Sequence, residues 1–180
     1  MDDMLKFFED FQNRTIYKKL TPEILKDIPN DQLEQTIYDN IYEIIGYDYE
    51  NEFQNVQKLT KGQQAFVSTW LVEVEVNNGG FNQFYFNSSG QYAYMAVDGF
   101  ETVGALKFAE LMKEANKIYA SIKSDLEKFD DSTLESFSES YKENPLNNLD
   151  DQFYDQDKAE PLWKFRVKYI RENIDQFITK

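Results

Sequence analysis

Apolar residues recur along this chain at intervals of three and four, the spacing that gathers side chains onto one face of an α-helix. Leu33, Ile37, Ile41, Ile44 and Ile45 form one such stripe after Pro29. Ala105, Phe108, Ala109, Met112, Ala115, Tyr119 and Ile122 form the longest. A third, Trp163, Val167, Ile170, Ile174 and Phe177, follows Asp157-Lys158-Ala159-Glu160, which reads as its opening. Near the start, Met4, Phe7, Phe8 and Phe11 share a face, and Ile16, Tyr17 and Leu20 continue in a similar rhythm. The punctuation agrees with this division. Thr21-Pro22 reads as a cap with proline in the first turn, Asp31 with Glu34 as a cap pair, and Gly46 as a stop. Residues 46–59 read as a connection. Thr60-Lys61-Gly62-Gln63 and Ser132-Thr133-Leu134-Glu135 have capping-box form; the first precedes Phe66, Trp70 and Val74, the second Phe137, Tyr141 and the break at Pro145. Tyr92, Met95, Ala96, Gly99 and Phe100 predict a helix ending near Gly104. Val72-Glu73-Val74-Glu75-Val76 alternates with period two and fits either a strand or a helix. With no partner strand elsewhere, helix is the expectation. The pattern predicts an all-α, compact multi-helix domain of roughly eight to ten helices. Residues 1–59 are expected as a helical N-terminal extension packed on a main domain of residues 60–180.

One stretch departs from the stripes. Asn77-Asn78-Gly79-Gly80-Phe81-Asn82-Gln83-Phe84-Tyr85-Phe86-Asn87-Ser88-Ser89-Gly90 crowds four aromatics and five side-chain amides between a double glycine and a Ser-Ser-Gly stop. Two readings fit. Asn82, Gln83 and Asn87 could face a ligand between helices, or the segment is an elbow whose amides satisfy backbone groups. The expectation is an elbow joining two core helices, with Gly79-Gly80 stopping the first.

Composition narrows the chemistry. The chain has no Cys and no His, which removes thiol nucleophiles, thiolate metal sites and the commonest general base and metal ligand. Asp150-Asp151 and Asp155-Gln156-Asp157 place acids close together, but without the spacing of a calcium loop. Phosphate loops, dinucleotide fingerprints and nucleophile elbows are absent. The expectation is a protein that is not an enzyme, with no catalytic residue, metal or cofactor. No apolar run approaches a membrane span, and Met1-Asp2-Asp3 is acidic where a signal peptide is basic, so the cytoplasm is expected.

Charge changes the picture most. Net charge is −14, which disfavours direct binding to nucleic acid or to an anionic membrane and favours basic partners. The excess is segregated. Residues 23–55 carry nine acids against one base, and residues 121–160 carry twelve against four. Glu135, Glu139 and Glu143 repeat every four residues, a rise of about 6 Å per step along a helix. Asp130, Asp131, Asp150, Asp151, Asp155 and Asp157 could extend that row. A solvated helix face is the alternative for any single carboxylate.

The run Glu73 to Gly90, continuing to Val103-Gly104-Ala105, resembles the signature of the bacterial DNA-mimic protein family, whose C-terminal domain is otherwise catalogued as a domain of unknown function. Asn78, Gly79, Gly80, Phe81, Gln83, Phe84, Asn87, Ser88, Ser89 and Gly90 carry the resemblance. Leu149-Asp150-Asp151-Gln152-Phe153-Tyr154 and Tyr169-Ile170-Arg171-Glu172-Asn173 are similar too. The likeness implies an all-helical, dimeric acidic protein that occupies the DNA-binding surface of a basic protein such as a transcription factor. The acidic residues from Asp130 to Asp157 named above are then the candidate partner-binding face. Neutralisation of a basic toxin by an immunity protein or antitoxin is the close alternative. A small-ligand module or carboxylate-based enzyme at the elbow is the more distant one.

Overall fold

The computed structural model describes residues 11–46, 48–129 and 133–178. Nine α-helices have both ends within them. They are α1 (Pro22–Asp27), α2 (Asn30–Ile45), α3 (Glu52–Val56), α4 (Lys61–Phe86), α5 (Ala93–Thr102), α6 (Leu106–Leu126), α7 (Leu134–Glu139), α8 (Asn147–Ala159) and α9 (Leu162–Glu172). No strand occurs among the described residues, and no helix there is long and apolar enough to cross a membrane.

Local chemistry sets many of the boundaries. Thr21 accepts a hydrogen bond from the Ile24 N–H and Pro22 occupies the first turn of α1. The capping box at α4 is reciprocal: Thr60 Oγ1 accepts from Gln63 N at 3.2 Å, and Gln63 Oε1 accepts from Thr60 N at 3.1 Å. Gly46 (φ 74°) and Gly104 (φ 82°) lie in the left-handed region just past α2 and α5, where a Cβ is disfavoured. Val72 and Val76, four apart, are buried while Val74 is exposed. That face is helical, so the alternation at 72–76 is incidental.

Two apolar clusters hold the helices. In the first, Phe81 and Phe84 of α4 meet Phe100 of α5, Phe108 and Met112 of α6, and Phe153 of α8. Phe153 takes Phe81 and Phe108 edge-on, at centroid distances of 5.8 and 5.2 Å. In the second, Leu25, Leu33, Ile37 and Ile41 from the segment before residue 60 bury against Phe66, Val67, Tyr92, Val167, Ile170 and Phe177. Burying each large apolar side chain contributes about 1.5–3 kcal/mol.

Several expectations are corrected. Met4, Phe7, Phe8 and Ser132 lie outside the described residues. The rhythm through Ile16, Tyr17 and Leu20 is not a helix: residues 14–17 are irregular. Arg14 there binds Asp39, and the Tyr17 carbonyl accepts from Asn40 Nδ2 at 2.7 Å, so contacts to α2 replace helical ones. Asp31 and Glu34 do not form a cap pair. Helix α2 starts behind Pro29 without a side-chain cap, and Glu34 turns to Arg166 instead. The connection at 46–59 contains the short helix α3. Helix α7 is capped by Thr133, whose Oγ1 accepts from Ser136 N at 3.2 Å. Asp157-Lys158-Ala159 is the last turn of α8 rather than the first of α9. Asp157 still serves α9, because its Oδ1 accepts from Leu162 N at 2.8 Å across the corner. Ile174 lies beyond α9, in a 3₁₀ turn that seats the buried Phe177.

Candidate functional site

The elbow is built from a break in α4. Gly79 (φ −159°, ψ 28°) and Gly80 (φ 72°, ψ −179°) leave helical geometry, and helix resumes at Phe81. The backbone groups around the break find side-chain partners. Tyr154 Oη donates to the Val76 carbonyl and Tyr141 Oη to the Gly79 carbonyl, both at 2.7 Å. The Phe81 N–H donates to Asp150 Oδ1 at 2.8 Å, placing a carboxylate at the start of the resumed helix. A Cβ on Gly80 would run into that same carboxylate.

Three of the five amides, Asn82, Gln83 and Asn87, bond to other side chains of the protein. Gln83 and Asn87 donate to Glu75 Oε2 at 2.7 and 2.9 Å, and Ser89 donates to Glu75 Oε1 at 2.8 Å. Asn82 Nδ2 donates to Ser140 Oγ, and Asn144 Nδ2 donates to Asn82 Oδ1, each at 2.8 Å. Phe81, Phe84 and Tyr85 are buried, whereas Asn77, Asn78 and Ser88 are exposed. Gly90 sits against the Tyr85 carbonyl, where a Cβ would approach to 2.9 Å. The elbow is thus a joint, with α8 and the residues after α7 stitched onto it.

Asp150 therefore turns inward rather than joining a solvent row. Burial raises its carboxyl from 3.8 to about 6, against the lowering effect of the Phe81 N–H and with a smaller push from Asp151. The folded protein holds this proton more tightly than the unfolded chain does. The carboxyl's contribution to stability is then fullest below about 4 and fades as pH rises through about 6. Wild type should lose stability relative to Asp150→Asn across that window in urea unfolding. A difference that stays flat with pH would contradict the burial argument.

The other acidic candidates separate. Asp130 and Asp131 lie outside the described residues. Glu135 is exposed on α7, Glu139 ends that helix and pairs with Lys142 at 2.7 Å, and Glu143 falls in a turn with φ 56°. The helical rise does not carry from Glu139 to Glu143, so the three do not form one row. Asp151 and Asp155 are exposed on α8, while Asp157 is half-buried as a cap. In the first block, Asp39 binds Arg14, Glu34 binds Arg166, and Glu52 accepts from Tyr92 Oη at 3.1 Å.

Sequence reasoning passed over Glu110 and Glu114. They are exposed on α6 and line an open groove of about 560 Å³ shared with Asp155, Gln152 and Gln156 of α8. Their segment, residues 61–120, has a net charge of only −2, so block arithmetic hid them. Their four-residue spacing was the signal available. The pairing of Glu114 with Lys117, 3.7 Å apart and exposed, adds little. Among the described residues no cluster of acids has the geometry of a metal site.

The fold and its surface define an acidic, all-helical protein in which Asn82, Gln83 and Asn87 of the elbow are bonded to the protein's own side chains. The pattern of the DMP19-like protein family matches residues 57–173, and the chain belongs to that family, a family of DNA mimics. No curated protein and no solved structure matches the chain. The matched span holds α4 with its elbow, α5 to α9 and the α6–α8 groove; α1, α2 and α3 precede it.

Proposed function

We propose that the protein is a DNA mimic that presents carboxylates to the DNA-binding surface of a basic protein of the transcription-factor kind. The observation that carries this reading is the exposure of Glu110, Glu114, Asp151 and Asp155 on α6 and α8 of a family member with net charge −14. Carboxylates four residues apart on a helix repeat at about 6 Å. One DNA strand repeats its phosphates at about 3.4 Å of axis, and more along its curved path. The two rows are close enough in scale for the same lysines and arginines to meet either. The summed charge would steer such a partner from a distance, and it repels nucleic acid itself. A cytoplasmic homodimer acting without turnover completes the reading.

Immobilised protein exposed to a cell extract at about 50 mM salt should capture DNA-binding proteins, released by added duplex DNA or by about 300 mM salt. Capture of no DNA-binding protein at low salt, or retention in the presence of excess duplex, would overturn the proposal.

A further inference from the structure

The α6–α8 groove brings exposed carboxylates and apolar surface together. Glu110 and Glu114 stand on the α6 wall and Gln152, Asp155 and Gln156 on the α8 wall, while the partly exposed Leu111 supplies apolar surface above the buried Leu149. Phe108 of α6 packs edge-on against Phe153 of α8, which fixes the spacing of the two walls. Lys107 also lines the groove, its ammonium 3.2 Å from Glu160 in an exposed pair, and the acids of the two walls outnumber it.

These features select among occupants. A simple cation needs no apolar contact. An extended basic tail carries no apolar stripe at helical spacing. A cationic amphipathic helix has both, and bases at its positions i and i+4 repeat at the same rise of about 6 Å as Glu110 and Glu114. Helices that read DNA lie in the major groove with basic side chains directed outward. We infer that the α6–α8 groove docks a cationic amphipathic helix of the partner, its bases against Glu110, Glu114 and Asp155 and an apolar side chain over Leu111. The origin of that helix in a DNA-binding protein rests on the mimic reading above.

Two triple variants test the location. Glu110→Lys/Glu114→Lys/Asp155→Lys alters the groove, and Glu135→Lys/Glu139→Lys/Glu143→Lys alters the α7 region by the same net charge. All six side chains are exposed, so both variants should keep the wild-type thermal melt. Long-range attraction falls equally in the two, and only position differs. The probe is a labelled helical peptide with arginines at i and i+4 flanking leucine, set against a peptide of equal composition with its arginines spread around the helix. By fluorescence anisotropy, wild type should prefer the patterned peptide, and the groove variant should lose roughly tenfold or more of that affinity relative to the α7 variant. Equal losses in both variants, a larger loss in the α7 variant, or no preference between peptides would overturn the inference. The extract capture separates the two ideas. If wild type and the groove variant capture DNA-releasable proteins equally, the groove falls and the mimic reading stands. If wild type captures none, the mimic reading falls, and the peptides alone decide the groove.

Discussion

Replacing Arg166 by alanine should destabilise the protein by about 3–5 kcal/mol, because it strips the counter-ion from two partly buried carboxylates. Arg166 is 2% exposed and lies between Glu34 of α2, 24% exposed, and Glu73 of α4, 18% exposed. Its Nε donates to Glu34 and its Nη2 to Glu73, while Nη1 has no hydrogen-bond partner among the described residues. Burial already raises the Glu73 carboxyl despite the guanidinium beside it. Without Arg166 that carboxyl should rise further and fold most readily when protonated. The deficit should therefore narrow as pH falls, and urea unfolding at pH 5 and 7.5 should show it. Replacing all three residues by apolar ones of similar volume should recover most of the loss, since the desolvation of the charges disappears with them. A deficit independent of pH, or a triple variant no better than the single one, would mean that lost packing dominates.

Gly80→Ala should cost about 3 kcal/mol or more, from backbone strain together with a broken charged hydrogen bond. With φ 72° and ψ −179°, Gly80 occupies a region that residues with a Cβ essentially do not enter. The added methyl also meets the Asp150 carboxylate and would drive it from the Phe81 N–H. The two contributions can be separated. Gly80→Ala in an Asp150→Gly background relieves the collision and leaves the strain, so the second methyl should cost less there without becoming neutral. Gly79→Ala is the milder comparison: its φ of −159° is not in the left-handed region, and the nearest obstacle is the flexible end of Gln83. Equal losses at both glycines in chemical denaturation would refute the distinction.

The core helices were legible in sequence because their stripes bury what they display. Leu33, Ile37 and Ile41 on α2 and Phe108, Met112 and Ala115 on α6 are all buried. Helix α8 was not legible, since only Leu149 and Phe153 of its residues are buried. Two apolar anchors among acids and amides leave too weak a period to read. The expected carboxylate row broke for a different reason. The Glu135–Glu143 row assumed a helix that continues, but the residues after Glu139 answer to Asn82, with Ser140 and Asn144 meeting it from 58 and 62 positions away. Glu34 is drawn from its cap position by an arginine 132 positions on. Such long-range claims on polar side chains leave no local trace, whereas the double glycine marked the elbow openly.

The path of Arg166 and Arg171 bears on how this protein can be divided. Both lie in the span shared with the family, yet Arg166 reaches back to Glu34, and Arg171 donates to the Leu25 and Ile28 carbonyls and to Asn30. A polypeptide trimmed to residues 57–173 would keep every family landmark and lose one acid of the buried triad. It would also bare Phe66, Val67, Tyr92, Val167 and Ile170 to water. The stretch that is recognisable by inheritance is thus smaller than the stretch over which the second core and the buried triad are complete.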